Sequence, residues 1–178
     1  MTGLANRYRL NAYSEKVLDY CYEHRLPLAM EILDIDFFKQ YNDNYGHQQG
    51  DECIIAIADE LKKMEDRQTF CARYGGDEFI IIYAGISAEE VHAKAGALRQ
   101  NIMNLKLEHL YSNALPIVTI SQGISYGVPE EGNRSWDFRH TADMLLYQVK
   151  KRSRNDICIA DIRGQELDLS SKQEKVEP

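Results

Sequence analysis

Acidic residues at the end of an apolar run are the first candidates for chemistry in this chain. Leu28 to Ile35 is apolar enough for a buried strand, and Asp34 and Asp36 lie at its end. Alternate residues of an extended chain point to one face, so the two carboxylates could share a face. Carboxylates suit Mg²⁺, which usually takes one or two of them together with water and substrate phosphate. An aspartate that caps the next helix would give the same pattern, so both interpretations stay open here.

The residues that follow these aspartates could bind phosphate. A helix that begins near Phe37 would present unpaired backbone N–H groups in its first turn, where anions bind readily. Lys39 adds a positive charge within the same turn. The segment therefore combines groups that attract a metal ion with groups that attract phosphate oxygens.

A second candidate segment is the pair Gly75 and Gly76 with its flanking residues. Two β-rich runs, Phe70 to Tyr74 and Phe79 to Tyr83, lie on either side of the glycines. This pattern predicts a β-hairpin, in which both glycines could take the positive φ angles of a type I′ turn. Bare glycines also allow another molecule to approach the backbone closely.

Acidic and basic side chains beside these elements complete the set of candidates. Asp77 and Glu78 begin the second strand of the predicted hairpin, either as functional carboxylates or as an exposed charged shoulder. Lys150 and Arg154 are four residues apart, so both would project from one face of a helix that reaches residue 154. A basic helix end stabilised by its dipole is the alternative.

The elements that must position these residues follow from the spacing of apolar side chains. Steps of three and four predict helices at residues 6 to 24, near Phe37, around Ile54 to Met64, at Val91 to Leu105 and around Ala142 to Val149. Two further strands are predicted at Ile117 to Ser125 and Ile157 to Ile159. The resulting order, αβααββαβαβ, predicts an α+β domain with a mainly antiparallel sheet flanked by helices, and it disfavours a regular parallel sheet.

Length and composition predict one ordinary globular domain. A chain of 178 residues with 44% hydrophobic side chains can bury a single substantial core. We expect the domain to occupy residues 1–162 and a flexible polar tail to occupy residues 163–178. The net charge of −7 argues against binding to a nucleic acid polymer, which requires clustered cations.

The sequence predicts a cytoplasmic domain without membrane contact. No segment is long and apolar enough to cross a bilayer, and no signal peptide opens the chain. The four cysteines show neither zinc spacing nor a disulfide pattern, which predicts reduced and mostly buried thiols.

Four ordered blocks resemble the GGDEF family of diguanylate cyclases. Residues 75–79 read Gly-Gly-Asp-Glu-Phe, which is the signature of that family. Residues 2–7 resemble its opening T-G-L-x-N-R block. Residues 34–51 read DIDFFKQYNDNYGHQQGD and resemble its D-x-D-x-F-K-x-x-N-D-x-x-G-H-x-x-G-D block. Residues 142–155 resemble its closing A-D-x-A-L-Y-x-A-K-x-x-G-R-N block. The similarity covers about residues 2 to 160.

The resemblance implies a fold and an activity. The fold would be palm-like, of the ferredoxin-like type found in nucleotide cyclases, with the signature on a β-hairpin. The activity would be condensation of two GTP molecules into the bacterial second messenger cyclic di-GMP, with release of two pyrophosphates. The cofactor would be Mg²⁺, with Mn²⁺ as a substitute, and catalysis would require a homodimer of GTP-loaded domains.

The resemblance also implies roles for single residues. Asp34 and Asp77 would be metal carboxylates, and the backbone carbonyl of Ile35 would be a further ligand. Glu78 would be either a ligand of a second metal ion or the base for the attacking hydroxyl, and these two roles stay open.

Substrate contacts follow from the same resemblance. Asn42 and Asp51 would hydrogen-bond the guanine edge, since a carboxylate accepts from guanine's N1–H and exocyclic amino group, a donor pair that adenine lacks. Lys39, Lys150 and Arg154 would hold the triphosphate. The substrate-binding set is completed by Phe37, Phe38, Gly75 and Gly76.

Other readings of the same residues lead to different functions. The chain could be a catalytically weak GTP-binding regulatory module of the same fold, or another nucleotidyl cyclase, or a structural dimerisation domain. Members of the family usually carry a sensory region upstream, so we expect that region to be missing from this fragment. The parent protein could then be attached to a membrane even though this domain is not.

Overall fold

The computed structural model describes residues 1–169, and its element order is the αβααββαβαβ predicted from the sequence. The helices are α1 (Arg7–His24), α2 (Phe38–Tyr45), α3 (His47–Met64), α4 (Ala88–Asn104) and α5 (Ser135–Arg152). The strands are β1 (Leu28–Ile35), β2 (Thr69–Gly75), β3 (Glu78–Ala84), β4 (Ile120–Gly127) and β5 (Ile157–Asp161). The predicted α+β class is therefore confirmed.

The strands form one mixed sheet in the order β2-β3-β1-β4-β5. The pairs β2–β3, β3–β1 and β1–β4 are antiparallel, and only β4–β5 is parallel. The central strand β1 is paired on both sides and almost fully buried, which explains why its sequence is a nearly continuous apolar run. Asp34 lies near its carboxyl end, at the edge of the core.

Alternate residues of β1 face two separate hydrophobic clusters. Leu33 belongs to the cluster under α3 and α4, which also contains Ile57 and Leu98. Met30 belongs to the cluster on the other face, which also contains Leu10 of α1 and Phe138 of α5. Because Asp34 has the same parity as Met30, its side chain lies on the face covered by α1 and α5.

Gly123 allows α5 to lie directly against β4. A Cβ at this position would lie 2.3 Å from the backbone oxygen of Ala142 and 2.3 Å from the backbone nitrogen of Leu146. These are backbone atoms, so a side chain at Gly123 would push the helix away from the sheet. The close packing fixes the height of α5 above the sheet, and with it the reach of Lys150.

The hairpin between β2 and β3 is confirmed, but its turn differs from the predicted one. Gly75 pairs with Glu78, so Gly76 and Asp77 are the central residues. Gly76 has a φ of +55°, whereas Gly75 and Asp77 are not among the residues of positive φ. The prediction of a type I′ turn on Gly75 and Gly76 is therefore wrong. A register shift between Arg73 and Gly75 moves the turn by one residue and leaves one glycine with a conformation that requires it.

The start of β4 also differs from the prediction, which placed it at Ile117. The residues before Ile120 pair with the connection that follows α4. Glu108 forms an isolated antiparallel β-bridge with Ile117, and the N–H of Val118 donates to Leu107 O. These backbone groups are satisfied locally, so the strand that pairs with β1 begins only at Ile120.

The first part of the predicted tail lies against the sheet. The N–H of Leu167 donates to Ile159 O at 3.2 Å, and the N–H of Asp161 donates to Gln165 O at 2.9 Å. Residues 170–178 lie outside the described residues, so flexibility of the tail stays a prediction. All four cysteines are buried and free, as predicted. Within residues 1–169, no helix has the length and apolar character needed to cross a membrane.

Candidate active site

Three acidic residues from two neighbouring strands meet at one end of the sheet. Asp34 lies directly opposite Glu78 in the antiparallel register of β1 and β3. Asp77 comes from the adjoining hairpin turn, and its charge acts on both other carboxylates. The sequence prediction that Asp34 and Asp77 converge although they are far apart in the chain therefore has a structural basis in strand pairing.

The carboxylates of this centre are difficult to ionise together. Burial, helped by the charges of Asp77 and Asp36 and opposed by Lys150, raises the pKa of Asp34 to about 6. Burial also raises the pKa of Glu78, and the charges of Asp34 and Asp143 add to that rise. Carboxylates with mutually raised pKa values indicate a site where a cation is favourable.

A protein cation already contacts this centre. The ammonium group of Lys150 lies 2.9 Å from Asp34 Oδ2, and both side chains are partly buried. Among residues 1–169, no group of three or more His, Cys, Asp or Glu side chains is arranged to hold a metal ion. Mg²⁺ typically takes only one or two carboxylates and obtains its other ligands from water and phosphates. One or two of the three carboxylates could therefore contribute to a magnesium site only together with water and substrate phosphate.

A cavity of about 290 Å³ borders the acidic centre and leaves room for a substrate. Glu78 lines it together with Tyr74 of β2 and with Arg139, His140 and Asp143 of α5. Asp143 was present in the closing sequence block but had no predicted role. The structure places it where its charge acts on Glu78.

Asp36 does not share the site with Asp34, although the sequence allowed both carboxylates to act on one face. Asp36 is fully buried and accepts hydrogen bonds from Thr119 Oγ1 at 2.8 Å and Ser121 Oγ at 2.6 Å. It also accepts from the N–H of Asn155 at 3.0 Å. Because its oxygens are occupied, Asp36 joins β4 and the α5–β5 connection to the end of β1 instead of offering a metal ligand.

The turn between β1 and α2 is held in a strained conformation. Phe37 has φ 55° and ψ 35°, which is unusual for a bulky residue and typically costs about 1–3 kcal/mol. His109 Nε2 lies 3.0 Å from Phe37 O, and a carbonyl can only accept, so Nε2 carries the proton. This fully buried histidine, 72 residues away, was not predicted, and nothing in its local sequence indicated the contact.

Lys150 and Arg154 do not project from one helix face. The helix α5 ends at Arg152, and Arg154 has a φ of 53° in the following turn. From there its guanidinium lies 4.2 Å from the ring centroid of Phe37 and 3.6 Å from Asp36 Oδ1. The predicted shared face is wrong because the helix stops first, yet both cations reach the end of β1 by separate routes.

The predicted guanine-binding residues lie together on α2 and α3. Asn42 belongs to α2, and its buried Oδ1 lies directly over Gly50, the residue before the exposed Asp51. Gly46 lies between the two helices with a φ of +85°, whereas Gly50 is inside α3. Lys39 is exposed in the first turn of α2, on the helix that carries Asn42.

The hairpin turn is braced from within. Arg73 donates from Nε at 3.0 Å and from NH2 at 2.7 Å to the carbonyl of Gly76. Gly75 and Gly76 are exposed, and nothing lies within 4 Å of a Cβ added at either position. The turn thus presents open backbone beside Asp77, as a contact with substrate would require.

Known proteins share this fold. The family model described as "Diguanylate cyclase, GGDEF domain" matches residues 1–156. The chain belongs to the GGDEF family. The palm-like fold that the resemblance implied is confirmed by solved GGDEF domains. The GGDEF domain of DgcB from Caulobacter crescentus, solved with its coiled coil and c-di-GMP, has a TM-score of 0.81 and 29% identity, covering 89% of this chain and 83% of that one.

Two further relatives of this GGDEF domain carry diguanylate cyclase names. The active GGEEF domain of a diguanylate cyclase from Vibrio cholerae has a TM-score of 0.74 and 30% identity, covering 88% of this chain and 97% of that one. The probable diguanylate cyclase DgcC of Escherichia coli K12 is 34% identical over 158 residues, which are 87% of this chain and 41% of that protein. The chain therefore spans less than half the length of this curated relative.

Proposed function

We propose that this GGDEF domain is a diguanylate cyclase that condenses two GTP molecules into cyclic di-GMP and releases two pyrophosphates. The observation that carries the proposal is the acidic centre of Asp34, Asp77 and Glu78, flanked by Lys150 and by the strained turn at Phe37. Carboxylates, a cation and a helix N-terminus at one place suit a nucleoside triphosphate bound with a divalent ion.

Mg²⁺ is the cofactor that this arrangement fits, with Mn²⁺ as a substitute. Asp34, Asp77 and the carbonyl of Ile35 would hold it, and Glu78 would hold a second ion or act as a base. The ion would supply positive charge that offsets the charge of the triphosphate. Lys150 would exchange its contact with Asp34 for a contact with phosphate oxygens.

Guanine is the base that the α2–α3 site favours. The carboxylate of the exposed Asp51 can accept hydrogen bonds, and the neighbouring Asn42 amide can contribute a further one. Guanine offers the N1–H and the 2-amino group on one edge, whereas adenine has an acceptor at N1. The triphosphate would extend from there towards the first turn of α2, where Lys39 and the Phe37 and Phe38 backbone face it, with Arg154 beside the turn.

The reaction joins the 3′-oxygen of one GTP to the α-phosphorus of the other. The bond between the α- and β-phosphates breaks, pyrophosphate leaves, and the hydroxyl proton passes to a base, which would be Glu78 if it does not hold the second ion. The same exchange on the second pair of atoms closes the ring. One domain holds one GTP, so the two substrates meet only in a homodimer.

Replacement of Asp77 tests the proposed chemistry. We expect Asp77→Ala to abolish formation of cyclic di-GMP from GTP and Mg²⁺ while thermal unfolding stays near that of the parent, because Asp77 lies in an exposed turn. Product would be identified by mass, which also distinguishes cyclic di-GMP from a cyclic mononucleotide or a mixed dinucleotide.

The exposed Asp19 of α1 provides a matched control, and Asp19→Ala should retain full activity. Equal product formation by Asp77→Ala and the parent would contradict the metal assignment. GTP binding by the parent without any product, even at high protein concentration, would instead identify a regulatory GTP-binding module.

A further inference from the structure

Gly50 stands in a position where glycine is locally unfavourable. It lies inside α3, where glycine is about 1 kcal/mol worse than alanine. Its φ is not in the positive range, so the backbone does not require a glycine there. Another feature of the site must explain the residue.

The space that a side chain would need at Gly50 is taken by Asn42. A Cβ at position 50 would lie 1.8 Å from Asn42 Oδ1, 3.0 Å from Asn42 Cγ and 3.3 Å from Phe38 Cζ. The severe overlap involves the end of a side chain and no backbone atom. Rotation of the Asn42 amide would relieve it, so the fold could survive while the amide changed its direction.

The direction of this amide matters for ligand binding. Asn42 Oδ1 is buried and, within the described part of the chain, has no hydrogen-bond partner. Because this oxygen is packed against Gly50 and closed to a ligand, the amide can meet a base only through its other end, the Nδ2 donor. Gly50 directly precedes Asp51, so the two side chains predicted to read the base are next to each other.

We propose that Gly50 is a positioning residue for base recognition: because it has no side chain, Asn42 Oδ1 can pack against α3, and this orientation turns the Asn42 Nδ2 donor towards the O6 acceptor of guanine, where adenine has an amino group. This inference rests on the proposed binding of GTP. A methyl group added at position 50 would therefore remove the preference for guanine and leave the fold intact.

The test compares nucleotide preference among variants. We would measure affinity for GTP, ITP and ATP by calorimetry with Mg²⁺ for the parent, Asn42→Ala, Gly50→Ala and the double variant. ITP lacks the 2-amino group, and ATP lacks both guanine donors. We expect Asn42→Ala and Gly50→Ala each to reduce the preference for GTP over ATP about tenfold, the value of one lost hydrogen bond. The double variant should show no further reduction, because both changes remove the same contact.

Gly96→Ala is the matched control. Gly96 lies inside α4 with nothing within 4 Å of an added Cβ, so this variant gains the same helix propensity without an overlap. It should keep the parent's preference, and all variants should unfold cooperatively on heating.

The possible contradictions separate the two proposals. If Asn42→Ala loses the preference and Gly50→Ala keeps it, the positioning role is wrong while the guanine site stands. If Gly50→Ala unfolds and the double variant folds, the overlap with Asn42 disrupts the fold instead of rotating the amide. The positioning role is then also wrong. If the parent itself shows no preference for GTP, the proposed substrate is wrong.

Discussion

At the scale of single residues, the core contains a carboxylate that no sequence pattern explained. Glu31 is fully buried in the middle of β1 and accepts hydrogen bonds from Tyr83 Oη at 2.7 Å and from Gln122 Nε2 at 2.7 Å. The same Gln122 nitrogen lies 3.1 Å from Ala95 O. The polar Gln122 is accommodated inside β4 because its side-chain amide donates to Glu31 and to the backbone of α4.

This carboxylate makes the stability of the domain depend on pH. Burial raises the pKa of Glu31 to about 7, although the two hydrogen bonds lower it. The folded chain therefore keeps this proton up to about pH 7, whereas an unfolded glutamate releases it near its ordinary pKa of about 4.3. The folded state binds more protons between these values, so the contribution of Glu31 to stability falls as pH rises through this range.

Glu31→Gln isolates this contribution. We expect the variant to lose the part of the pH dependence that arises from Glu31 and to gain on the order of 1–3 kcal/mol over the parent at pH 8, because an amide cannot ionise. Urea unfolding at several pH values from 4 to 8 would measure the difference between the two proteins. Asp34 and Glu78 titrate in both, so they cancel in that difference. A difference that does not grow with pH would contradict the assignment.

At the scale of elements, the turn between β1 and α2 depends on a loop that is distant in sequence. His109 lies in the connection from α4 to β4 and donates to Phe37 O, while its ring makes an edge contact with Tyr41 at 5.1 Å between centroids. The left-handed conformation of Phe37 is thus held by the folded environment and not by local preference.

His109→Phe removes the donor and keeps an aromatic ring beside Tyr41. We expect about 1 kcal/mol less stability, because the hydrogen bond is lost. We also expect the KM for GTP to rise about fivefold, because the relaxed turn presents the α2 N–H groups less well. Steady-state kinetics and urea unfolding would measure the two effects. His92→Phe on the exposed side of α4 is the control, and a KM equal to the parent's in His109→Phe would contradict the role of the turn.

At the scale of the whole molecule, the two faces of the sheet support different parts of the proposed substrate site. The cluster under α3 and α4 supports the helices that carry Asn42 and Asp51, and the cluster under α1 and α5 supports the helix that carries Lys150. Both meet at the carboxyl end of β1. Each domain has one β1 strand, whose carboxyl end would provide one substrate site. This is the physical reason for expecting activity from two copies.

Turnover should therefore depend on protein concentration. We expect the rate per domain to rise with concentration as dimers form, and to become nearly independent of it after fusion of a parallel dimeric coiled coil before residue 1. Product formation over a hundredfold dilution, compared with light scattering, would measure this. A constant rate per domain in samples that scatter as monomers would contradict the need for a homodimer.

The sequence by itself determined the order of the elements, the class of the fold and the residues of the acidic centre. These follow from local periodicity and from short blocks such as residues 75–79, which can be recognised without knowledge of contacts. The bounds of the strands were predicted less well, as at the start of β4 at Ile120. Pairing with a neighbouring strand decides where a strand begins, and the local sequence does not show that pairing.

Only the tertiary structure decided how single side chains are used around that centre. Asp36 is occupied by Thr119 and Ser121, Phe37 is held by His109, and Gly50 makes room for Asn42. The first two arrangements join residues more than 70 positions apart, and the third depends on the packing of two helices. Local patterns carry no information about such contacts, because they arise only when the sheet and its two layers of helices are assembled.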